Sequence, residues 1–142
     1  MRPHLLLSGL FSLLLACGGQ TPEAQVKAAF QECVEALEAG DVGRAAARLS
    51  PRFEGPEGMD AGAARLYLLG VLRREKVGVT VLADRVEVQG SQARQTVEVL
   101  LTGREDGGLL PQDASRRRFQ LRWERRDGDW RLRGLQPLEG GA

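Results

Sequence analysis

The side chains best suited to covalent or metal chemistry are few in this chain. It contains two cysteines, Cys17 and Cys33, and one histidine, His4. A zinc site built from thiolates and imidazoles needs three or four such ligands close together, and these three residues form no Cys–His cluster in the sequence. No glycine-rich loop follows a predicted strand and opens a helix, and no serine stands in the Gly-x-Ser-x-Gly pattern of hydrolases. We therefore expect neither a metal nor another cofactor, and Cys17 becomes the most informative residue.

The surroundings of Cys17 indicate lipid attachment. An apolar run covers residues 5–15, which is too short to span a bilayer, since spanning takes about 20 apolar residues, but suits the core of a signal peptide. The run ends in Leu14, Leu15, Ala16 and Cys17, which resembles the lipobox of bacterial lipoproteins. The resemblance implies that the Cys17 thiol receives diacylglycerol, that cleavage follows Ala16, and that the new amino group is acylated.

These features predict a membrane-anchored protein of the cell envelope. Each buried methylene contributes about 0.8 kcal/mol, so two or three acyl chains hold a protein at a membrane permanently. In a Gram-negative host, Gly18 after the cysteine implies, by the same resemblance, the outer membrane with the domain facing the periplasm. We divide this part into a signal peptide, residues 1–16, and a lipidated tether, residues 17–21, whose last four residues reach about 14 Å when extended.

The composition of the mature chain excludes some partners. Removal of 16 of the 142 residues leaves 126, enough for one domain with its own core. Arg2 and His4 are lost with the leader, so 19 basic and 19 acidic side chains remain and no histidine. A neutral domain has no general attraction for nucleic acid. Cys33 is then the only free thiol, and we expect it to be buried and unreactive, with an intermolecular disulfide as the alternative.

Arginines are concentrated in the C-terminal third of the chain. Two interpretations are open: a dock for anionic head groups or an acidic partner, or an ordinary solvated face. We favour the second because the chain uses arginine almost everywhere in place of lysine, with 18 arginines against Lys27 and Lys76. The residues concerned are Arg116, Arg117, Arg118, Arg122, Arg131 and Arg133.

Three helices are predicted in the N-terminal half. Thr21 is a suitable N-cap for the first, whose apolar residues recur every three or four positions up to a Gly40 C-terminal cap. Asp41 caps a short second helix, and residues 52–59 are predicted to form a loop with Phe53 against the core. Asp60 caps a third helix.

The third helix is predicted to run to about Glu75. Residues 66–72 are apolar nearly all round, which indicates burial on several sides. Gly70 within this stretch predicts close approach of a neighbouring backbone, since glycine there costs about 1 kcal/mol relative to alanine.

From residue 77 the apolar period changes to two, which predicts a meander of about five strands. A turn at residues 90–91 places Glu87 opposite Arg94, and a turn at 127–128 places Trp123 opposite Leu132. Residues 102–115 are predicted to be a connection. The second register collects the large apolar side chains on one face, namely Phe119, Leu121, Trp123, Trp130 and Leu132.

The order of elements resembles the nuclear transport factor 2-like superfamily over residues 22–137. The likeness is carried also by the Glu-Ala-Gly-Asp junction at 38–41 and by the closing segment 123–132. It implies an α+β fold in which three N-terminal helices pack on a curved antiparallel sheet of four to six strands, forming a cone with a pocket. We expect one domain over residues 22–138 and a frayed tail over 139–142, with Tyr67, Leu121 and Trp123 either lining the pocket or filling the core.

The same resemblance frames the functional hypotheses. Enzymes of this superfamily line the cone with an Asp–His pair or an Asp–Tyr pair, and the mature chain has no histidine. Tyr67 with Asp84 or Asp113 remains as an alternative, although Asp84 is predicted to lie in a turn before a strand. Our leading hypothesis is a non-catalytic, membrane-tethered domain that binds an apolar small molecule or an envelope protein. A purely structural envelope component is the third possibility.

Overall fold

The computed structural model describes residues 20–104 and 113–138. The lipobox, Cys17 and residues 139–142 lie outside this part. The described helices are α1 (Pro22–Glu38), α2 (Val42–Ala47) and α3 (Ala61–Arg74), with a 3-10 turn at Pro56–Gly58. None of them has the length and apolar composition needed to cross a membrane.

Five strands form one curved, open sheet with the order β1-β5-β4-β3-β2. They are β1 (Leu49–Glu54), β2 (Lys76–Gln89), β3 (Gln92–Arg104), β4 (Asp113–Arg126) and β5 (Asp129–Leu138). All neighbouring pairs are antiparallel except β1 and β5, which run parallel. The predicted class, three helices packed on a curved sheet of four to six strands, is confirmed.

The helix starts follow the predicted capping residues. The side chains of Thr21, Asp41 and Asp60 each accept a hydrogen bond from the backbone N–H three residues further on, over 2.8 to 3.2 Å. These bonds satisfy one of the N–H groups that a helix start leaves without a partner. Gly40, directly after the first helix, has a φ of +69°. All three predicted N-caps are therefore confirmed.

Both predicted hairpin registers are confirmed. Glu87 is opposite Arg94, and Trp123 is opposite Leu132. Asp127 and Gly128 have φ values of +50° and +81°, the left-handed pair that a two-residue turn matching the strand twist requires. The apolar faces of these strands meet α1 in one buried cluster, which contains Val26, Ala29, Phe53, Ala64, Ala93, Val97, Val99, Leu121, Trp123, Trp130 and Leu132.

The loop predicted for residues 52–59 is partly wrong, because its first three residues belong to β1. Phe53 is buried as expected. The partner of β1 lies some eighty residues away: Leu49 is aligned with Leu132 of β5, and the Leu132 N–H donates to the Arg48 carbonyl over 2.7 Å. A short edge strand that depends on so distant a partner has no local period by which to be recognised.

Two further predictions about strands are wrong. The turn expected around Asp84 does not exist: β2 is continuous, and its register shifts once, between Val81 and Ala83. The connection expected over residues 102–115 is shorter, since β3 extends to Arg104 and β4 begins at Asp113. In both places the strands simply continue beyond the part in which their apolar period is regular.

The expectation that α3 is buried on several sides is also wrong. Ala64 is its only buried residue, while Leu66 and Tyr67 are 70% and 61% exposed. No neighbouring backbone approaches Gly70; a Cβ added there would find only the Arg74 guanidinium, 4.0 Å away. The apolar centre of α3 therefore faces two ways, toward the core and toward solvent.

Candidate functional site

A chain of three polar side chains lies on the core side of the sheet. The Trp123 indole N–H donates to the Gln95 amide oxygen over 2.9 Å, and the Gln95 amide nitrogen donates to Asp84 Oδ1 over 2.9 Å. Gln95 and Trp123 are fully enclosed, at 0% and 1% exposure, whereas Asp84 is half-buried. Burying these groups would be costly without partners, so the three side chains hold one another in fixed orientations.

A bulge in β2 brings Asp84 to this position. Val81 is opposite Val99, but after the register shift Asp84, rather than Ala83, is opposite the buried Val97. An extra residue in one strand turns the following side chains to the other face. Asp84 therefore leaves the solvent side and meets Gln95, although the sequence placed it in a turn.

Gln95 was not singled out in the sequence, although its position could have been found. In the predicted register it lies two residues from both Ala93 and Val97, which are on the apolar face. A polar amide at such a position needs buried partners. The signal was therefore present in the period-two pattern, while the identity of its acceptor, Asp84, depended on the bulge.

The three residues predicted to line a pocket have different surroundings. Leu121 and Trp123 belong to the buried core cluster. Tyr67 is on the exposed side of α3. The aspartates proposed as partners of Tyr67 were Asp84 and Asp113. Asp84 Oδ1 accepts a hydrogen bond from Gln95, and Asp113 is the first residue of β4. An Asp–Tyr pair thus gains no support from the placement of Tyr67, and Asp84 is the candidate whose orientation is fixed.

Cys33 is a free thiol that is partly buried in α1 and packs against the core. Burial raises the pKa of this thiol to about 11, with a smaller lowering by Arg48 and a smaller raising by Glu32. Arg48 and Glu32 form an ion pair with a 2.6 Å separation beside it. The expectation of a buried thiol with little thiolate character is therefore supported.

A second polar network joins side chains of β1 and β4, which lie on either side of β5 in the sheet, and was missed in the sequence. Ser50 Oγ donates to Glu124 Oε1, and the Arg52 guanidinium donates to Glu124 Oε2. Ser50 is fully buried and Glu124 is 8% exposed. Burial alone would raise the pKa of the Glu124 carboxyl, but the bonds from Ser50 and Arg52 and the charges of Arg52 and Arg126 outweigh it, so the pKa lies below its ordinary value.

The arginines of the C-terminal third do not form one continuous cationic stripe. Arg116 is paired with Glu98, and Arg131 donates to the Ala47 carbonyl. Arg122 and Arg133 instead approach a single carboxylate, that of Glu54, at 3.7 and 3.6 Å. Most of these side chains are thus engaged locally, as the interpretation of an ordinary face implied, but two of them converge. Within residues 20–104 and 113–138, no cluster of three or more His, Cys, Asp and Glu side chains could hold a metal ion.

The helices and the open sheet together define a nuclear transport factor 2-like cone fold. Solved structures with this fold are similar to the chain at low sequence identity. A candidate scytalone dehydratase from Novosphingobium aromaticivorans gives a TM-score of 0.71 at 13% identity, covering 84% of this chain and 86% of that one. No family model matches the sequence, and no curated protein matches it.

Two other solved structures are also similar in fold at low sequence identity. A candidate dehydratase of the NTF2-like family from Streptomyces avermitilis gives a TM-score of 0.69 at 16% identity, covering 82% of this chain and 97% of that one. An NTF2-like protein from Cytophaga hutchinsonii gives a TM-score of 0.66 at 13% identity, covering 83% of this chain and 98% of that one. At these identities the likeness shows the fold alone, since one such fold carries many unrelated functions.

Proposed function

We propose that this chain is a membrane-anchored envelope lipoprotein whose cone-fold domain is a non-catalytic binding module for an apolar small molecule or an apolar protein surface. The observation that carries the proposal is the exposed apolar face of α3. Leu66 and Tyr67 are the two most exposed large hydrophobic residues of the described chain. Adjacent exposed apolar side chains of this size are typical of interaction sites.

The anchor supports this proposal from the sequence side. The lipobox resemblance at residues 14–17 predicts lipidation at Cys17, and a tether of a few residues keeps the domain near the bilayer. A domain held there encounters lipids and other envelope proteins at high local concentration. An apolar recognition surface suits either kind of ligand.

Native mass spectrometry of the full-length chain, purified from membranes in mild detergent, tests the binding role. We expect a bound apolar molecule or protein in the unchanged chain and its loss after the double change Leu66→Ser and Tyr67→Ser. The matched control is Leu82→Ser, which removes another exposed leucine, 47% exposed, from the edge strand β2. Equal retention in the α3 variant and the control, or no bound species in any form, would contradict the proposal.

A catalytic cone is the second candidate, and Asp84 is the observation that favours it. Its carboxylate is half-buried and held by Gln95, which is itself fixed by Trp123. An oriented carboxylate can act as a general base. Asp84→Asn keeps an oxygen that can accept from Gln95 but cannot take up a proton. Under the binding proposal this variant retains the ligand unchanged; under the catalytic one, the mass of the retained ligand differs between the variant and the parent chain.

A further inference from the structure

Four arginine side chains line one groove on the sheet face opposite the core. The groove has a volume of about 360 Å³, and its arginines are Arg52, Arg94, Arg122 and Arg133. Two carboxylates, Glu87 and Glu124, also line it. The Glu54 carboxylate adds a third negative charge beside two of these arginines, 3.7 Å from Arg122 and 3.6 Å from Arg133. Four guanidinium charges against three carboxylates leave an excess of one positive charge. A groove with this balance attracts anions and repels cations.

Two of the arginines are held in place by the surrounding backbone. Arg133 Nη1 donates to the Arg52 carbonyl. The Arg122 guanidinium lies over Gly134, where an added Cβ would be 2.5 Å from its Nη2. Glycine at this buried position in β5 therefore leaves the space that Arg122 occupies. A guanidinium has five N–H donors, so these contacts leave others for a ligand.

The carboxylate of Glu124 is already committed to the protein. It accepts from Ser50 and from Arg52, and it is almost fully buried. It therefore fixes Arg52 at the groove wall and offers little to an incoming cation. Glu87, by contrast, is exposed and has Arg85 within 3.7 Å.

Arg94 is the least satisfied of the four. Glu87 is directly opposite Arg94 on β2, but its carboxylate has Arg85 at 3.7 Å, and no carboxylate among the described side chains lies within 4.0 Å of the Arg94 guanidinium. In the sheet register Arg94 is directly opposite Arg122. Like charges at directly opposite positions destabilise a sheet, because their Cβ atoms are only about 5 Å apart. An anion between the two guanidinium groups would turn this repulsion into attraction.

We propose that this groove is a binding site for a phosphate monoester, held chiefly between Arg94 and Arg122. A monoester carries up to two negative charges on one compact group, and the facing guanidinium groups of Arg94 and Arg122 together supply two positive charges. Planar guanidinium groups bind phosphate oxygens through paired, charge-assisted hydrogen bonds. The monoester can belong to a free metabolite or to a lipid head group, since the groove recognises the phosphate in either case. The site is on the sheet and is independent of the α3 surface.

Isothermal titration calorimetry of the full-length chain in neutral detergent tests the site, with glycerol 3-phosphate as the probe. We expect saturable binding that weakens as salt is raised. Arg94→Ala should weaken binding by about tenfold or more, because a charge-assisted contact is lost. The matched control is Arg44→Ala, which removes an exposed arginine of α2 and the same charge, and should bind as the parent does.

The comparison probes decide the remaining questions. If dihexanoyl phosphatidic acid binds more tightly than glycerol 3-phosphate, the ligand is a lipid head group. If the two bind equally, the ligand is a free phosphate monoester. If succinate binds as well as glycerol 3-phosphate, the assignment of the site to phosphate is overturned. Absence of saturable binding, or equal weakening by Arg94→Ala and Arg44→Ala, overturns the site. Arg94→Ala removes both a repulsion from Arg122 and an attraction to Glu87, which face it from the two neighbouring strands. Its melting temperature should therefore stay close to that of the parent, which separates loss of binding from loss of folding.

Discussion

Among the described residues, Glu124 and Cys33 show how burial acts on two acidic groups with different partners. Burial favours the neutral form of both. At Cys33 burial prevails and raises the pKa of the thiol. At Glu124 it is outweighed by Ser50 and Arg52, and the pKa of the carboxyl falls. The first residue is therefore neutral and the second ionised at neutral pH.

Glu124→Gln is predicted to destabilise the protein at neutral pH by about 2 kcal/mol, because it breaks charge-assisted hydrogen bonds with Ser50 and Arg52. The folded-state pKa of Glu124 is lowered, so its stabilisation is fully present above the unfolded value near 4.5 and is lost as the pH falls through the folded value. Thermal unfolding of the parent and of Glu124→Gln between neutral and acidic pH measures the difference between their free energies of unfolding.

The stability gap between parent and Glu124→Gln should therefore close in acid. Glu35→Gln, which changes an exposed glutamate of α1, is the control and should stay within about 0.5 kcal/mol of the parent. A gap that stays constant down to the lowest pH would mean that the shape of the side chain, rather than its charge, stabilises the network.

Cys33 is predicted to react slowly with thiol reagents while the protein is folded. At pH 8, a thiol with a pKa of about 11 is thiolate in only about one molecule in a thousand. A disulfide-forming chromogenic reagent should therefore label the native full-length chain about a hundredfold more slowly than an unfolded cysteine, whose pKa is about 8.5. Similar rates with and without denaturant would contradict the buried placement.

At the scale of elements, the features that could be predicted were those with local causes. Thr21, Asp41 and Asp60 cap helices because their side chains reach an N–H three residues away. The hairpin registers follow from turns at 90–91 and 127–128. These signals lie within a few residues of the structure that they specify.

The features that could not be predicted depend on distant partners. Strand β1 exists because β5 lies beside it, and its Ser50 meets Glu124, 74 residues later. The candidate site shows the same division. Trp123 was on the predicted face, Gln95 was on that face without being noticed, and Asp84 reached it through a bulge. The spacing of residues along the sequence predicts neither the bulge in β2 nor the convergence of the four groove arginines.

The start of α3 offers a test of the capping argument. Asp60→Ala should lower the free energy of unfolding by about 1 kcal/mol, because the bond to the Ala63 N–H, 2.8 Å long, is lost. Asp60→Asn is the matched control, since its amide oxygen can accept the same bond and it should be nearly neutral. Urea unfolding curves give both values. An equal loss in the two variants would assign the effect to charge rather than to capping.

At the scale of the whole molecule, the arrangement of one domain beside a membrane remains a prediction from the sequence. Cys17→Ser should move the full-length chain from the membrane fraction to the soluble fraction, because no acyl chain can be attached without the thiol. Fractionation after a high-salt wash measures the change. Cys33→Ser is the matched control and should stay with membranes. A Cys17→Ser chain that remains membrane-bound would contradict the anchor.

The two ends of the described chain are fastened to each other. The Trp130 indole N–H donates to Gln25 of α1 over 3.1 Å, across 105 residues, and Arg125 stacks on the Trp130 ring at 4.7 Å. Contacts between such distant segments slow folding, because the long intervening loop must close first. A polypeptide that leaves the ribosome N-terminus first thus cannot complete its core before β5, which supplies Trp130 and Leu132 to the core, has been synthesised.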